Sequence, residues 1–282
     1  MQHTFHLVMS TIGRSGELEQ FLTSLDEQDE SVFVTLVEQS ESRSSEPLMA
    51  GRVARGDGEY LHEPVVRGLS RGRNRGLTQL RGDIVAFPDD DCWYPSGLLA
   101  DVRATLEDTS LDGITTRLSA PSGKANMLRW MDERATVTPA RIPRTVTSAT
   151  LFLRRELVEQ VGGFDEALGS GSGTPFGAGE ETDYVLRALA TGARLEYLPT
   201  LEVFHPEWRD EGAEDEVLAK VTRYNRGFGR VLRKHRRWGE AAYWIGRSCV
   251  AVAVAALRGR RDRVRFQVAQ LRGRVQGFTA RR

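Results

Sequence analysis

The chain opens with an alternation that leaves few folds available. Phe5 to Met9 is a short apolar run closing at Ser10-Thr11. Gly16 to Gln28 carries Leu18, Phe21, Leu22 and Leu25 at helical spacing, and Val32 to Val37 is a continuous apolar run closed by Glu38-Gln39-Ser40-Glu41. Strand, helix and buried-type strand in that order make a crossover unit, which needs a parallel sheet with helices on its faces.

The rest of the chain extends the same plan. Ser42 to Asp57 is polar and reads as a loop, Ser70 to Leu80 as a helix, and Asp83 to Phe87 as a strand running into Pro88 and three aspartates. Pro95 to Glu107 is amphipathic. Ile114 to Leu118 is expected to be an edge strand, Pro121 to Pro143 shows no assignable element, and Thr147 to Leu153 reads as a strand. A short helix, Glu156 to Val161, stops at Gly162-Gly163. A glycine-rich loop, Leu168 to Gly179, leads into a helix over Glu180 to Ala190 and a last strand at Leu195 to Leu198. After Val217 the chain reads as helical. The expected architecture is α/β: an open, mostly parallel sheet with flanking helices in residues 1–216 and a helical extension over 217–282.

That extension is where composition matters. The 282 residues hold 39 basic and 39 acidic side chains, yet residues 223–282 carry 17 of the former and 2 of the latter. An acidic body of net −15 therefore bears a tail of net +15. Such a tail suits an anionic surface. Arg226, Arg230, Arg233, Arg237, Arg247 and Arg258 fall within an arc of roughly 100° when wound as one helix, among Trp238, Tyr243, Trp244 and an alanine-valine run. Two readings stand level: an interfacial helix on an anionic membrane, or a helix whose apolar side packs on the body, with Gly239 and Gly246 as breakers. Nucleic acid is a poorer partner, since no nucleic-acid motif accompanies the charge. Two cysteines exclude a disulfide framework and a cysteine-rich zinc site. The N-terminal segment lacks the features of a secretory signal, and no run of about 18 uncharged apolar residues suggests a membrane span. A cytoplasmic protein, peripheral on the membrane, is the expectation.

Four groups of residues carry chemistry. Asp89-Asp90-Asp91 follows a buried-type strand, where open α/β sheets bind ligands. Three adjacent carboxylates repel unless neutralised, and a hard divalent cation shared with a diphosphate would neutralise them; a solvated acidic turn is the plain alternative. Glu180, Glu181 and Asp183 open a helix, which the helix dipole favours. One of them can instead be a general base beneath a loop that closes over substrate. His205 lies just past the last strand, where an imidazole can be structural or ligate a metal of the Mn²⁺ class. Ser70 to Gly76, SRGRNRG, sets arginines at a helix start, suited to an anion or simply solvated.

Taken in order, these segments resemble family 2 glycosyltransferases of the GT-A fold, from about Leu7 to Pro206. The family's opening strand resembles LVMSTIGR, its nucleotide-base acidic element VEQS, its ARN segment GRNRG, and its DXD element Asp89-Asp90-Asp91. Its GGFDE segment appears whole as Gly162 to Glu166, and its Glu-Asp pair resembles Glu180-Glu181.

The resemblance implies an inverting, metal-dependent glycosyltransferase. It would move a sugar from a nucleotide diphosphate donor to a hydroxyl acceptor, lipid-linked if the tail meets membrane, in surface glycan or glycoconjugate synthesis. Thr11, Arg14 and Glu38 would then hold the base, with Arg73 near the nucleotide. Asp91 would bind Mn²⁺ or Mg²⁺, Asp89 would hold the ribose or share the metal, and Asp90 and Glu180 would join the substrate-binding set. His205 would be a further metal ligand. Glu181 stands where the family has its base, usually Asp, with Asp183 and Glu180 as rivals. A sugar nucleotidyltransferase would need a glycine-rich basic triphosphate loop, for which STIGRSG is a thin match. A binding module without catalysis should have lost acidic elements that are all present here.

Overall fold

The computed structural model describes residues 3–65, 67–207 and 214–280. Contacts divide the chain into two units. One comprises Met1–Phe164 with Tyr184–Trp208; the other comprises Asp165–Asp183 with Arg209–Arg282. Residues 165–183 thus group with the C-terminal helices.

The first unit is built on an eight-stranded sheet. Its strands are β1 (His3–Thr11), β2 (Val32–Glu38), β3 (Gly58–His62), β4 (Gly82–Ala86), β5 (Gly113–Ser119), β6 (Ala135–Thr136), β7 (Leu151–Arg154) and β8 (Leu195–Phe204). They lie in the order β3-β2-β1-β4-β7-β5-β8-β6. Strands β3, β2, β1 and β4 are mutually parallel, and β5 is parallel to β8. Strand β7 is antiparallel to both its neighbours, and β6 to β8. The helices of this unit are α1 (Ser15–Asp26), α2 (Glu46–Arg55), α3 (Leu69–Gly76), α4 (Leu98–Glu107) and α5 (Arg155–Val161). The α/β fold expected from the opening crossover is present.

Burial explains the strands. All seven residues of β2 are buried, as a central strand covered on both faces requires. Helix α1 turns Leu18, Phe21, Leu22 and Leu25 inward. Helix α3 approaches β1 closely because Gly72 lacks a side chain: a Cβ there would lie 2.2 Å from Ser10 Oγ.

Four local expectations are corrected. The polar stretch after Ser42 contains α2, which buries only Met49 and Arg52, and it is followed by β3. Strand β5 is internal, between β7 and β8. Strand β8 runs on to Phe204, with a register shift opposite Thr116/Arg117. The last expected strand of the middle region is shorter, because Ser148–Thr150 form a 3₁₀ turn under a Thr147/Thr150 capping box. In the segment that resisted assignment, Trp130 is buried and stacks on Tyr197 at 5.8 Å, so it serves the core.

Helix α6 (Glu180–Ala190) has its first turn in the second unit, which also contains α7 (Glu214–Lys234), α8 (Trp238–Leu257) and α9 (Arg261–Thr279). The single basic helix expected through Arg258 does not exist. The chain turns at residues 235–237, where Arg236 has φ of 55°, and neither Gly239 nor Gly246 breaks α8. Helices α7 and α9 cross at glycines: a Cβ on Gly277 would lie 2.0 Å from the Arg226 carbonyl oxygen, and one on Gly273 2.4 Å from that of Thr222. Arg274 ties the three helices, donating to Asn225 Oδ1, the Trp244 carbonyl and Ser248 Oγ. Burial lowers its pKa to about 10, with Arg247 adding to the effect. Helix α8 buries only Ala241, Ser248 and Ala255. It is long and apolar enough to cross a membrane by length and composition, although Glu240 and Arg247 kept it from reading as a span in sequence.

Candidate active site

Register places the first group of candidates together. Thr11 pairs with Glu38 at the carboxyl ends of β1 and β2, while β4 ends level with Leu7 and continues through Phe87-Pro88 into the aspartates. A mutual backbone pair between Trp93 and Phe204 then fastens the triplet to the end of β8. That bridge carries His205 to Asp91, with Nε2 3.4 Å from Oδ1.

Each aspartate has its own company. Asp89 accepts from Arg73, a wholly buried arginine of α3, at 2.8 Å, and the same guanidinium nitrogen donates to Ser148 Oγ at 2.9 Å. Asp90 is buried, accepting from Thr11 Oγ1 at 2.6 Å and from Arg14. Asp91 accepts from Arg14 at 2.5 Å. Arg14 and Arg73 thus supply counter-charge to the triplet from other elements. Burial pushes Asp90 up to about 6, against the Thr11 hydrogen bond and the Arg14 charge. Burial also raises Asp91, but the His205 hydrogen bond and the Arg14 charge outweigh it and leave Asp91 lowered.

The donor set fits a hard divalent cation. Ligand atoms of Asp89, Asp91 and Cys92 lie within 4.8 Å of one another. Cys92 is not a ligand for such an ion, because burial, with Asp89 and Asp91 adding to it, pushes its thiol well up and keeps it protonated. The carboxylates of Asp89 and Asp91 are partly open, at 28% and 17% exposure. His205 Nδ1 lies 2.7 Å from the Pro206 carbonyl, which makes Nδ1 the donor nitrogen and turns Nε2 toward Asp91. The carboxylates of Asp89 and Asp91 form the close oxygen pair that a Mn²⁺-class or Mg²⁺-class ion takes, and His205 Nε2 stands 3.4 Å from Asp91 outside that cluster.

Glu38 is differently placed. Its carboxylate is buried and accepts from the Ser40 hydroxyl, from the backbone N–H groups of Ser44 and Ser45 at 3.1 and 3.0 Å, and from the Tyr60 hydroxyl at 2.7 Å. Burial raises its pKa, but the Ser40, Tyr60 and Ser45 hydrogen bonds more than reverse this. Glu38 thus organises the loop after β2. Asn74, which sequence reasoning passed over, holds the GGF turn: its side chain accepts from Phe164 N at 2.6 Å and donates to Phe164 O at 3.0 Å. Its place inside the GRNRG segment was the available signal.

In the second unit, Glu180 and Asp183 are buried and Glu181 is part-exposed. Asp183 Oδ1 is 2.7 Å from both Lys234 Nζ and His235 Nε2 at the end of α7. Lys234 also pairs with Asp165 of the GGFDE segment at 2.7 Å. The glycine-rich loop expected to move is bound to α7: Gly177 N donates to the Arg223 carbonyl, and a Cβ on Gly227 would lie 1.9 Å from the Ala178 oxygen. No spacing in the sequence marked Lys234 or His235 as partners of Asp183, since both sit in a run of bases.

An open sheet with an acidic cluster at strand ends, paired with Arg14 and Arg73, makes this an α/β protein with a polar site at the carboxyl ends of its strands. Residues 7–161 match the family profile described as "Glycosyl transferase family 2", and the chain belongs to that family. It is 31% identical over 159 residues to a pre-mycofactocin glycosyltransferase of Mycobacterium tuberculosis (53% of this chain, 32% of that protein). It is 28% identical over 181 residues to glycosyltransferase AglE of Haloferax volcanii (60% and 53%). The chain thus spans between a third and about half the length of these curated relatives. Among solved structures, a Pyrobaculum calidifontis mannosyltransferase in complex with GDP-Man and Mn²⁺ matches at TM-score 0.72 and 18% identity, covering 99% of this chain and 88% of that one. S. aureus TarS with UDP-GlcNAc matches at 0.62 and 14%, covering 95% and 90%. These likenesses establish the GT-A fold.

Proposed function

We propose that the chain transfers a sugar from a nucleotide diphosphate donor to a hydroxyl acceptor, with inversion, using a divalent cation. The observation that carries this is the close approach of two part-open carboxylates, Asp89 and Asp91, at the strand ends, with His205 3.4 Å from Asp91, in a chain of this family. Bound there, the ion would act as a Lewis acid for the departing diphosphate. Asp89, Asp91 and His205 would hold it. Arg14 and Arg73 preset the carboxylates, so little reorganisation accompanies binding. Thr11 and the loop shaped by Glu38 would receive the nucleoside. The neighbours' printed ligands, GDP-Man and UDP-GlcNAc, support a nucleotide sugar without choosing between them.

Glu181 is the base in this reading. Asp183 is committed to Lys234 and His235 and buried among them, whereas Glu181 in the same helical turn keeps partial access to solvent. In this reading the Glu181 carboxylate would take the acceptor's proton as its oxygen attacks the anomeric carbon. The test is product stereochemistry: an α-linked donor should give a β-linked product by NMR, and retained configuration would reject the in-line mechanism.

The setting we propose is the cytoplasmic face of an anionic membrane, with glycan or glycoconjugate synthesis as the process and a lipid-linked acceptor. Helix α8 supports it. Tyr243, Val250, Val254 and Leu257 are exposed on one side of that helix, and Arg258, Arg260, Arg261 and Arg263 follow. Exposed apolar side chains beside a cationic cluster suit an acidic lipid surface.

A further inference from the structure

The second unit contains a concave site that the chemistry above does not use. It lies where α7 gives way to α8, encloses about 500 Å³, and is lined by Arg230, Arg233, Lys234, Arg236 and Trp238 with the end of α9. Among the described residues no carboxylate lines it.

The four cations are not equivalent. Lys234 is neutralised by Asp165 and Asp183. Among the described residues, no carboxylate pairs with Arg230, Arg233 or Arg236. Arg230 lies over the Phe176 ring at 5.5 Å, and Arg233 lies over Trp238 at 4.6 Å and Phe278 at 5.9 Å. A ring beneath a guanidinium favours its position and leaves its edge N–H groups facing outward to meet oxygens, one of them on Arg230 already donating to the Ala280 carbonyl at 3.4 Å. The turn that presents Arg236 is itself fixed, since Arg237 N donates to the Leu232 carbonyl and Trp238 N to that of Arg236. Three guanidinium groups without a carboxylate partner around one hollow, two of them set over aromatic rings, favour a multiply charged tetrahedral oxyanion over a single carboxylate.

We propose that this pocket binds a phosphate or diphosphate group, and that the group belongs to the acceptor. The second clause rests on the transferase reading. Lys234 lines the pocket and also bonds Asp183, two residues from Glu181, so one side chain joins the pocket to the proposed base. A phosphate seated on the arginines would fix where the acceptor's hydroxyl reaches. Either a lipid phosphate or a soluble phosphate ester offers this chemistry.

The test is calorimetric titration of inorganic pyrophosphate into the full chain with chelator present, which silences metal-dependent donor binding. Wild type and Asp91→Ala should bind alike, and Arg233→Ala/Arg236→Ala should bind at least about tenfold more weakly, the loss of one charge-assisted hydrogen bond or more. Arg236→Gln, an exposed position, guards against a folding defect and should also weaken binding. Unchanged affinity in these variants, or sulfate binding as tightly as pyrophosphate, overturns the proposal. Flotation on phosphatidylcholine vesicles with phosphatidic acid then separates the sources: displacement by pyrophosphate marks a lipid headgroup, and no displacement marks a soluble ester. Lost turnover in Asp91→Ala with pyrophosphate binding intact separates this site's fate from that of the transferase reading.

Discussion

At the scale of single residues, the contrast between Glu181 and Asp183 is the sharpest. Glu181→Gln keeps size and hydrogen bonding but removes basicity, so it should lower kcat by about 10²–10⁴-fold while donor affinity by calorimetry stays near normal. Asp183→Asn leaves Lys234 and His235 facing a neutral group at a buried position. Because Lys234 is one-third exposed, the expected cost is about 1–3 kcal/mol in urea unfolding, not the larger value of a fully sealed pair. A dead but fully stable Asp183→Asn beside an active Glu181→Gln would exchange their roles. His6 gives a pH prediction. It is fully buried on β1 with Nε2 2.9 Å from Thr35 Oγ1, and burial, then the Arg81 charge, lowers its pKa to about 4. The unfolded chain takes up this proton first, near pH 6.5, so stability falls as pH drops from there toward 4, by about 3 kcal/mol. His6→Asn should be less stable at pH 7 and lack that share of the slope. The acidic triplet, the GGFDE segment and the helix-opening acids were legible because their residue types stand out in order. The partners were not: Arg14, Arg73 and His205 meet the aspartates only through the sheet's register, and Lys234 looks like any other base in its tail.

Among elements, legibility followed local pattern. Strands β1, β2 and β4 and helices α1 and α6 could be read because burial on both strand faces, or on one helix stripe, writes itself into spacing. Helix α2 could not, since it buries only one apolar side chain and one arginine stem. The internal place of β5 depends on β7, which follows it in sequence and enters between β4 and β5. The turn between α7 and α8 was invisible because its residues are ordinary helix formers apart from His235. Glycines test the packing of these last helices. Gly277→Ala would drive a Cβ into the Arg226 carbonyl and should destabilise by about 1–3 kcal/mol. Gly246→Ala, on α8 with nothing within 4 Å, should stabilise by up to about 1 kcal/mol through helix propensity. Thermal melts of the two variants should shift in opposite directions; a shared direction would contradict the α7–α9 crossing.

At the scale of the whole molecule, one unit holds the sheet with the acidic cluster, and the other holds the proposed base, the cationic pocket and α8. Val250→Ser/Leu257→Ser should reduce flotation with phosphatidic acid vesicles without changing the melting temperature, because both side chains are exposed. Equal flotation would leave α8 without a membrane role. Ending the chain near Lys220 is a poorer probe, since it removes Lys234 and His235 from Asp183. The central claim is metal-dependent use of a nucleotide sugar at Asp89, Asp91 and His205. The direct measurement is release of nucleoside diphosphate from a panel of nucleotide sugars, with Mn²⁺ and with chelator, for wild type and Asp91→Ala. One donor should be consumed by the wild type with Mn²⁺, and neither chelated wild type nor Asp91→Ala should consume it. Full activity in chelator, or undiminished activity in Asp91→Ala, would contradict the claim.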